Sequence, residues 1–356
     1  MSDIPIPTGV TDFLQNNVDL SGYFPAYEVL TTQIVVTSNY PTIHELQLTL
    51  TRNKNGITNY IVLSQPYITL TNYGSTNSRQ ISHAVIYKKT ATTFSATINT
   101  ASASPPLELE ATIWFVVVYP YSSIQPIINS LDYYDSAGDP IDFFPQYMTS
   151  SLSMSSATDI TLDIDLTPKS TDRTDYICFG SLYDTVSEDS ASTAASDIKQ
   201  IMYYTVGQTG DKTQIKINKT SISNIDVETL VLYPIIISTN DYTSNYFVKI
   251  NNIYYSLSTI FPLCEVFILN FSNKNSVVTT TFTLTANTKN TTNYVILASY
   301  VYNSSGSGGT YNPFEGSSSA KNLLVTEKTT RDFTILFEKT TGDTWNGGIR
   351  CLVIYL

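Results

Sequence analysis

Three copies of one short phrase constrain this chain more than any other feature. They read Asn59-Tyr60-Ile61-Val62-Leu63, Asp175-Tyr176-Ile177-Cys178-Phe179 and Asn293-Tyr294-Val295-Ile296-Leu297, with the tyrosines recurring at an interval of about 117 residues. A Phe-Pro pair stands upstream of each (Phe24-Pro25, Phe144-Pro145, Phe261-Pro262). An apolar run ending in tyrosine stands downstream, at Phe115–Tyr119, Leu230–Tyr233 and Leu352–Tyr355. Landmarks in one order at one spacing predict three tandem units within the 356 residues, a length too great for one ordinary core.

Before each phrase the apolar residues alternate. Leu46, Leu48 and Leu50 are interleaved with polar positions, as are Ile160, Leu162, Ile164 and Leu166, while Phe282 and Leu284 sit between threonines. Period two predicts strands with one face in a core and the other in water. Leu50, Leu166 and Leu284 each precede their tyrosine by ten residues, across turns rich in Asn, Lys, Gly, Asp and Thr. After the phrase comes a variable polar stretch: a Gly/Ser loop at 303–309, and at 187–196 an Ala/Ser-rich segment expected to hold a helical turn. Units one and three then share Lys-Thr-x-x-x-Phe, at Lys89 to Phe94 and Lys328 to Phe333; the second strand of this kind is expected to contain Ile215. The last strand of each unit is apolar on nearly every residue and is predicted to be central, covered on both faces.

The predicted fold class is all-β, with three tandem antiparallel β-sandwich, jelly-roll-like repeats joined by connectors of about twenty residues. The boundaries are 1–22 for an N-terminal connector-like segment, 23–120, 141–235 and 256–356 for the repeats, and 121–140 and 236–255 for the connectors. The connectors carry Tyr, Ile, Phe and Pro where flexible tethers carry Gly and Ser, so they are expected to pack against the domains.

Composition excludes several functions. The net charge is −11, and the acidic second repeat has 13 acids against 6 bases. With no basic stripe, the phosphate backbone of a nucleic acid is not an expected partner. No apolar run reaches membrane-spanning length, and the start of the chain lacks the pattern of a signal peptide, so neither membrane nor leader is expected. The three cysteines, Cys178, Cys264 and Cys351, lie in apolar strand-like runs and are read as buried thiols.

The search for chemistry yields little. His44 and His83 are the only histidines and have no counterparts in the other repeats. Both are read as strand-edge residues, leaving no catalytic triad or histidine metal site. Asp159, Asp163, Asp165, Asp172 and Asp175 form the densest acidic group, read as a solvated face and not a calcium loop. No catalytic, cofactor-binding or metal-binding residue is assigned, and no cofactor is expected. The candidates for glycan or partner contact are aromatics in loops or near turns: Trp345, Tyr311, Phe314 and Tyr73. Trp345, in Gly342-Asp343-Thr344-Trp345-Asn346-Gly347-Gly348, is expected at a hairpin tip.

The sequence of an alternating strand, an Asn-Tyr-apolar strand, a polar loop, Lys-Thr-x-x-x-Phe and an apolar strand ending in Tyr resembles β-sandwich modules at the tips of phage tail fibres. It is also similar to the H-type lectin sandwich. Tandem sandwich units in a Thr/Ser/Asn/Tyr-rich chain further resemble minor capsid and fibre proteins of large DNA viruses, giant viruses among them. The resemblance implies a non-enzymatic virion protein, either capsid-associated or a fibre subunit. It would act through contacts with other capsid or fibre proteins, in particles assembled in the host cytoplasm. The alternative it implies is a lectin-like fibre module that binds a host-surface glycan. Modules of this sort usually assemble as trimers of separate chains; three copies in one chain allow a pseudo-threefold cluster or a linear array, and a compact arrangement is expected.

Overall fold

In the computed structural model the described residues are 26–36, 42–53, 56–68, 79–81, 84–102, 109–119, 132–135, 137–141, 145–153, 159–165, 177–184, 198–204, 212–219, 224–232, 246–250, 252–256, 264–274, 277–287, 290–302, 320–339 and 345–356. They are all strand and connection, arranged in several sheets. Among them no helix is long and apolar enough to cross a membrane. The Ala/Ser-rich 187–196 segment, with its expected helical turn, lies outside the described residues.

The stretch 23–120 contributes β1 (Ala26–Val36), β2 (Thr42–Thr49), β3 (Ile61–Ile68), β4 (Arg79–Ile81), β5 (Val85–Tyr87), β6 (Thr93–Ser102) and β7 (Leu109–Tyr119). β7 runs between β1 and β3, antiparallel to both. β6 runs between β2 and β5, with β4 beside it. The connector regions contribute β8 (Asp132–Asp135), β9 (Pro140–Ile141), β16 (Tyr246–Ile250) and β17 (Ile253–Ser256). The second stretch, 141–235, supplies β10 (Pro145–Ser153), β11 (Asp159–Asp165), β12 (Ile177–Asp184), β13 (Ile198–Tyr204), β14 (Lys212–Lys219) and β15 (Asn224–Leu232). The third supplies β18 (Cys264–Lys274), β19 (Val277–Thr283), β20 (Tyr294–Tyr302), β21 (Ala320–Lys328), β22 (Asp332–Lys339) and β23 (Trp345–Tyr355).

One pairing scheme recurs in the three stretches. The orders β1-β7-β3, β10-β15-β12 and β18-β23-β20 each place the last strand between the first strand and the Tyr strand. Likewise β6, β14 and β22 each lie between the alternating strand and the strand that follows the variable loop. The registers agree: Ile61 faces Val118, Ile177 faces Leu232 and Val295 faces Ile354. In the first and third stretches the phrase is thereby aligned with the tyrosine that ends its partner strand.

Two registers depart from the sequence landmarks. Ala26 faces Tyr119, yet in the second stretch Pro145 already faces Leu232, a slip of two residues relative to the other Phe-Pro pairs. A slip of two keeps every side chain on its own face, so the period-two pattern tolerates it. Leu48 faces Phe94 and Phe282 faces Phe333, but Ile164 faces Thr213, and Ile215 lies opposite Leu162.

The apolar last strands are central, and their burial follows from that. Every residue from Ile113 to Tyr119 is buried, as is every residue from Cys351 to Ile354. Alternation holds where side chains are described: Leu48 and Leu50 are buried while Gln47 and Thr49 are exposed. Tyr60, Val62, Phe94, Phe115 and Tyr119 share one core, with Tyr60 and Tyr119 edge-on at 5.7 Å and Phe94 and Phe115 at 5.5 Å. In the third stretch Phe267, Phe282 and Phe333 form a mutual cluster with centroids 5.2 to 5.3 Å apart, and Tyr294 lies 5.7 Å from Tyr355.

Strands from different stretches also join. β12 pairs in parallel with β5, Leu182 facing Val85, and β21 pairs in parallel with β3, Val325 facing Tyr67. β13 runs beside β20. The connector regions pair with each other in a four-stranded sheet ordered β17-β16-β8-β9. Their Tyr/Ile/Val content suits strands. Tyr133, Val248, Ile250 and Tyr255 are buried there, and the Tyr134 and Tyr254 rings meet at 5.1 Å.

Candidate functional site

The polar side chains able to support chemistry are gathered around the Tyr phrases, and the same constellation is built twice. Glu28 on β1 is buried and accepts hydrogen bonds from Thr51 N at 3.0 Å, Thr51 Oγ1 at 2.7 Å, Arg52 N at 3.5 Å and the Tyr119 hydroxyl. Glu265 on β18 accepts from Thr285 N at 2.8 Å, Thr285 Oγ1 at 2.9 Å, Ala286 N at 2.8 Å and the Tyr355 hydroxyl. Burial pushes the Glu28 carboxyl up, but donors from Tyr119, Thr51 and Arg52 outweigh it and leave the group below its ordinary range. Tyr119 is driven well above the usual phenol range by burial, reinforced by the Glu28 carboxylate. Each carboxylate fastens the turn after the alternating strand to the first strand.

The next layer holds that turn and the hairpin beyond it. Asn53 Nδ2 donates to Ile57 O at 2.7 Å and Ala91 O at 2.8 Å; Asn287 Nδ2 donates to Thr291 O at 2.7 Å and Thr330 O at 2.8 Å. The Lys-Thr-x-x-x-Phe signature has a physical meaning here. Thr90 Oγ1 accepts from Thr92 N and Thr93 N, as Thr329 Oγ1 accepts from Arg331 N and Asp332 N, so each threonine forms the hairpin turn. Lys89 Nζ donates to Tyr60 O at 2.7 Å, and Lys328 Nζ donates to Tyr294 O. In return Tyr60 OH donates to Thr93 O at 2.8 Å and Tyr294 OH to Thr329 O at 2.7 Å. Tyr60 and Tyr294 are wholly buried, so both serve the core; Tyr176 lies outside the described residues.

The lysines also reach across stretches. Lys89 Nζ lies 4.4 Å from the centre of the Tyr183 ring on β12. Lys328 Nζ lies 4.4 Å from Tyr294 and 5.1 Å from Trp114, and Trp114 stacks on Tyr67 at 5.0 Å. Burial lowers Lys328 to about 8. Beside this contact the wholly buried Gln65 spans three strands: its Nε2 donates to Leu323 O at 2.9 Å, and Ala298 N donates to its Oε1 at 3.0 Å.

The residues singled out in the sequence are dispersed. Tyr73, Tyr311 and Phe314 lie outside the described residues. Trp345 is not at a hairpin tip: it opens β23 opposite Lys274 of β18, and β22 and β23 belong to different sheets. The glycines after it are strand residues, and Gly348 is required there, because a Cβ would sit 2.7 Å from Leu269 O. His44 Nε2 lies 3.0 Å from Thr100 Oγ1 on β6, and burial lowers its pKa; His83 lies outside the described residues. Asp159, Asp163 and Asp165 are all on β11, whereas Asp172 and Asp175 lie outside the described residues. Cys264 and Cys351 are buried and outside any disulfide, and Cys178 falls in β12.

Sequence reasoning missed the two glutamates. Their signal is Phe-Pro followed three residues later by Glu, in the first and third repeats; Met148 takes that place in the second. Comparison with known proteins gives no match to any family model, curated protein or solved structure.

Proposed function

We propose that the chain is a non-enzymatic structural subunit of a virus particle, capsid-associated or in a fibre, built from three tandem β-sandwich repeats closed into an intrachain ring. The observation that carries this reading is burial on both faces of the Tyr strands. Tyr60 and Val62 fill one core, yet Ile61 and Leu63 on the opposite face are buried too, as are Phe179, Val295 and Leu297 at corresponding places. A sandwich standing alone leaves that outer face in water, and burial of so much apolar surface favours association. The parallel joints β12–β5 and β21–β3 support the ring further, since they convert exposed strand edges into continuous sheet.

A role through contacts, without catalysis, is supported by how the reactive groups are used. Glu28, Glu265, Lys89 and Lys328 are all engaged by backbone or tyrosine partners. The particle assignment rests on the sequence resemblance. Mass spectrometry of purified particles, with a density map of the shell or fibre, tests it: the chain is expected there in stoichiometric amount, and its absence overturns the proposal. The ring is tested by solution scattering, with a radius of gyration of about 20–22 Å expected for a compact chain of this length. A larger value with a rod-like distance distribution overturns it. A glycan array bound in the low micromolar range would favour the lectin-like module instead.

A further inference from the structure

We infer that the ring has one loose seam, between β13 and β20, and opens there first; this rests on the ring reading above. Its three seams are built differently. β12 meets β5 through a parallel ladder, and β21 meets β3 through one parallel pair, Val325 facing Tyr67. Among the described residues β13 and β20 run side by side without a ladder, each ending its own three-stranded sheet.

The side chains repeat this asymmetry. At the β12–β5 seam Lys89 lies over Tyr183, and at the β21–β3 seam Lys328 lies over Trp114, which is stacked on Tyr67. Tyr67 and Tyr183 each stand seven residues after the tyrosine of their phrase, and the third phrase has Val301 at that place. Arg350 replaces Trp114, counted from the tyrosine that ends the last strand, and after β13 Lys212-Thr213 is followed by Ile217 where the signature has phenylalanine. A cation set over an aromatic face is an attraction that strengthens as water is removed. Both aromatic receivers are replaced at the same seam, by Val301 and Arg350. Arg350 instead turns back on its own sheet, donating from Nη1 to Leu269 O at 3.2 Å and Ile349 O at 3.3 Å.

The edge of β20 is satisfied by other means. Its Ala298 amide donates to Gln65 Oε1 of β3, so a side chain of the first repeat occupies a group that a neighbouring strand would otherwise pair. The counterparts of Gln65 are Ser181 and Ser299, too short for such a bridge, and both hydroxyls are buried without a hydrogen-bond partner. Gln65 therefore ties β20 to the first repeat.

Amide hydrogen exchange on the full chain, resolved to single residues, tests this. Edge amides of β20 that point away from β23, Ala298 excepted, are expected to exchange about tenfold or more faster than the matching amides of β3 and β12. Lys89→Ala should raise exchange in β12 with β20 unchanged, and Lys328→Ala should raise exchange in β3. Equal protection of the three edges, or greatest protection at β20, in a chain whose scattering is compact overturns the loose seam and leaves the ring standing. An extended scattering profile overturns the ring itself, and the inference with it.

Discussion

The Ala298 amide and the Gln65 side-chain oxygen are hydrogen-bonded at 3.0 Å although 233 positions separate them in the chain. Both residues are buried, and the same side chain donates to Leu323 O. Gln65→Leu keeps the volume and removes both bonds, leaving a buried N–H and a buried C=O unpaired. The expected loss is about 2–6 kcal/mol, from about 1–3 kcal/mol for each of the two orphaned groups. Urea unfolding of the full chain measures it; an unchanged midpoint would show that water replaces the amide.

Acid should weaken the chain through Glu28. Its folded carboxyl lies below the ordinary value of 4.5, so the contribution is present above that value and is lost as pH falls through the lower, folded one. Thermal melts from pH 6 downward should show a falling Tm beginning below about pH 4.5, where the unfolded group starts to bind a proton that the folded one refuses. Glu28→Gln should lower stability at pH 7 and flatten the acid limb. A variant as acid-sensitive as the parent would place the sensitivity elsewhere.

Tyr60 contributes a core ring and a hydrogen bond to Thr93 O at 2.8 Å. Tyr60→Phe removes the bond alone and should cost about 1 kcal/mol. Tyr60→Ala opens a cavity beside Phe94 and Tyr119 and should cost about 3–5 kcal/mol. Equal effects from the two variants would assign the stability to the hydroxyl and not to packing.

Buried hydroxyls without partners should be dispensable. Thr97, Ser181 and Ser299 each keep an unpaired oxygen inside the structure. Replacing such a group by an apolar one of like shape removes a desolvation penalty of about 1–3 kcal/mol. Thr97→Val and Ser181→Ala are expected to be neutral or stabilising in calorimetry. A loss of more than about 1 kcal/mol in either would mean that the hydroxyl has a partner after all, such as an internal water.

Much of the local structure was legible in the residues. The alternation of Leu46, Leu48 and Leu50 with polar neighbours determined a half-buried strand, because side chains in a strand point to opposite faces in turn. The unbroken apolar runs ending at Tyr119 and Tyr355 determined central strands, since only a strand covered on both sides can hide every residue. Recurrence of the Tyr phrase determined that one pairing scheme would return. Tertiary structure decided which edges meet. Edge pairing is made by backbone N–H and C=O groups that almost every residue carries, so no pattern of side chains announces that β12 joins β5 or β21 joins β3. For the same reason the connectors' pairing with each other and the position of Trp345 in a strand were invisible in the sequence. Gln65 shows the limit most plainly: an amide in an apolar strand states that a partner is needed, and only the folded chain states that the partners are Ala298 and Leu323.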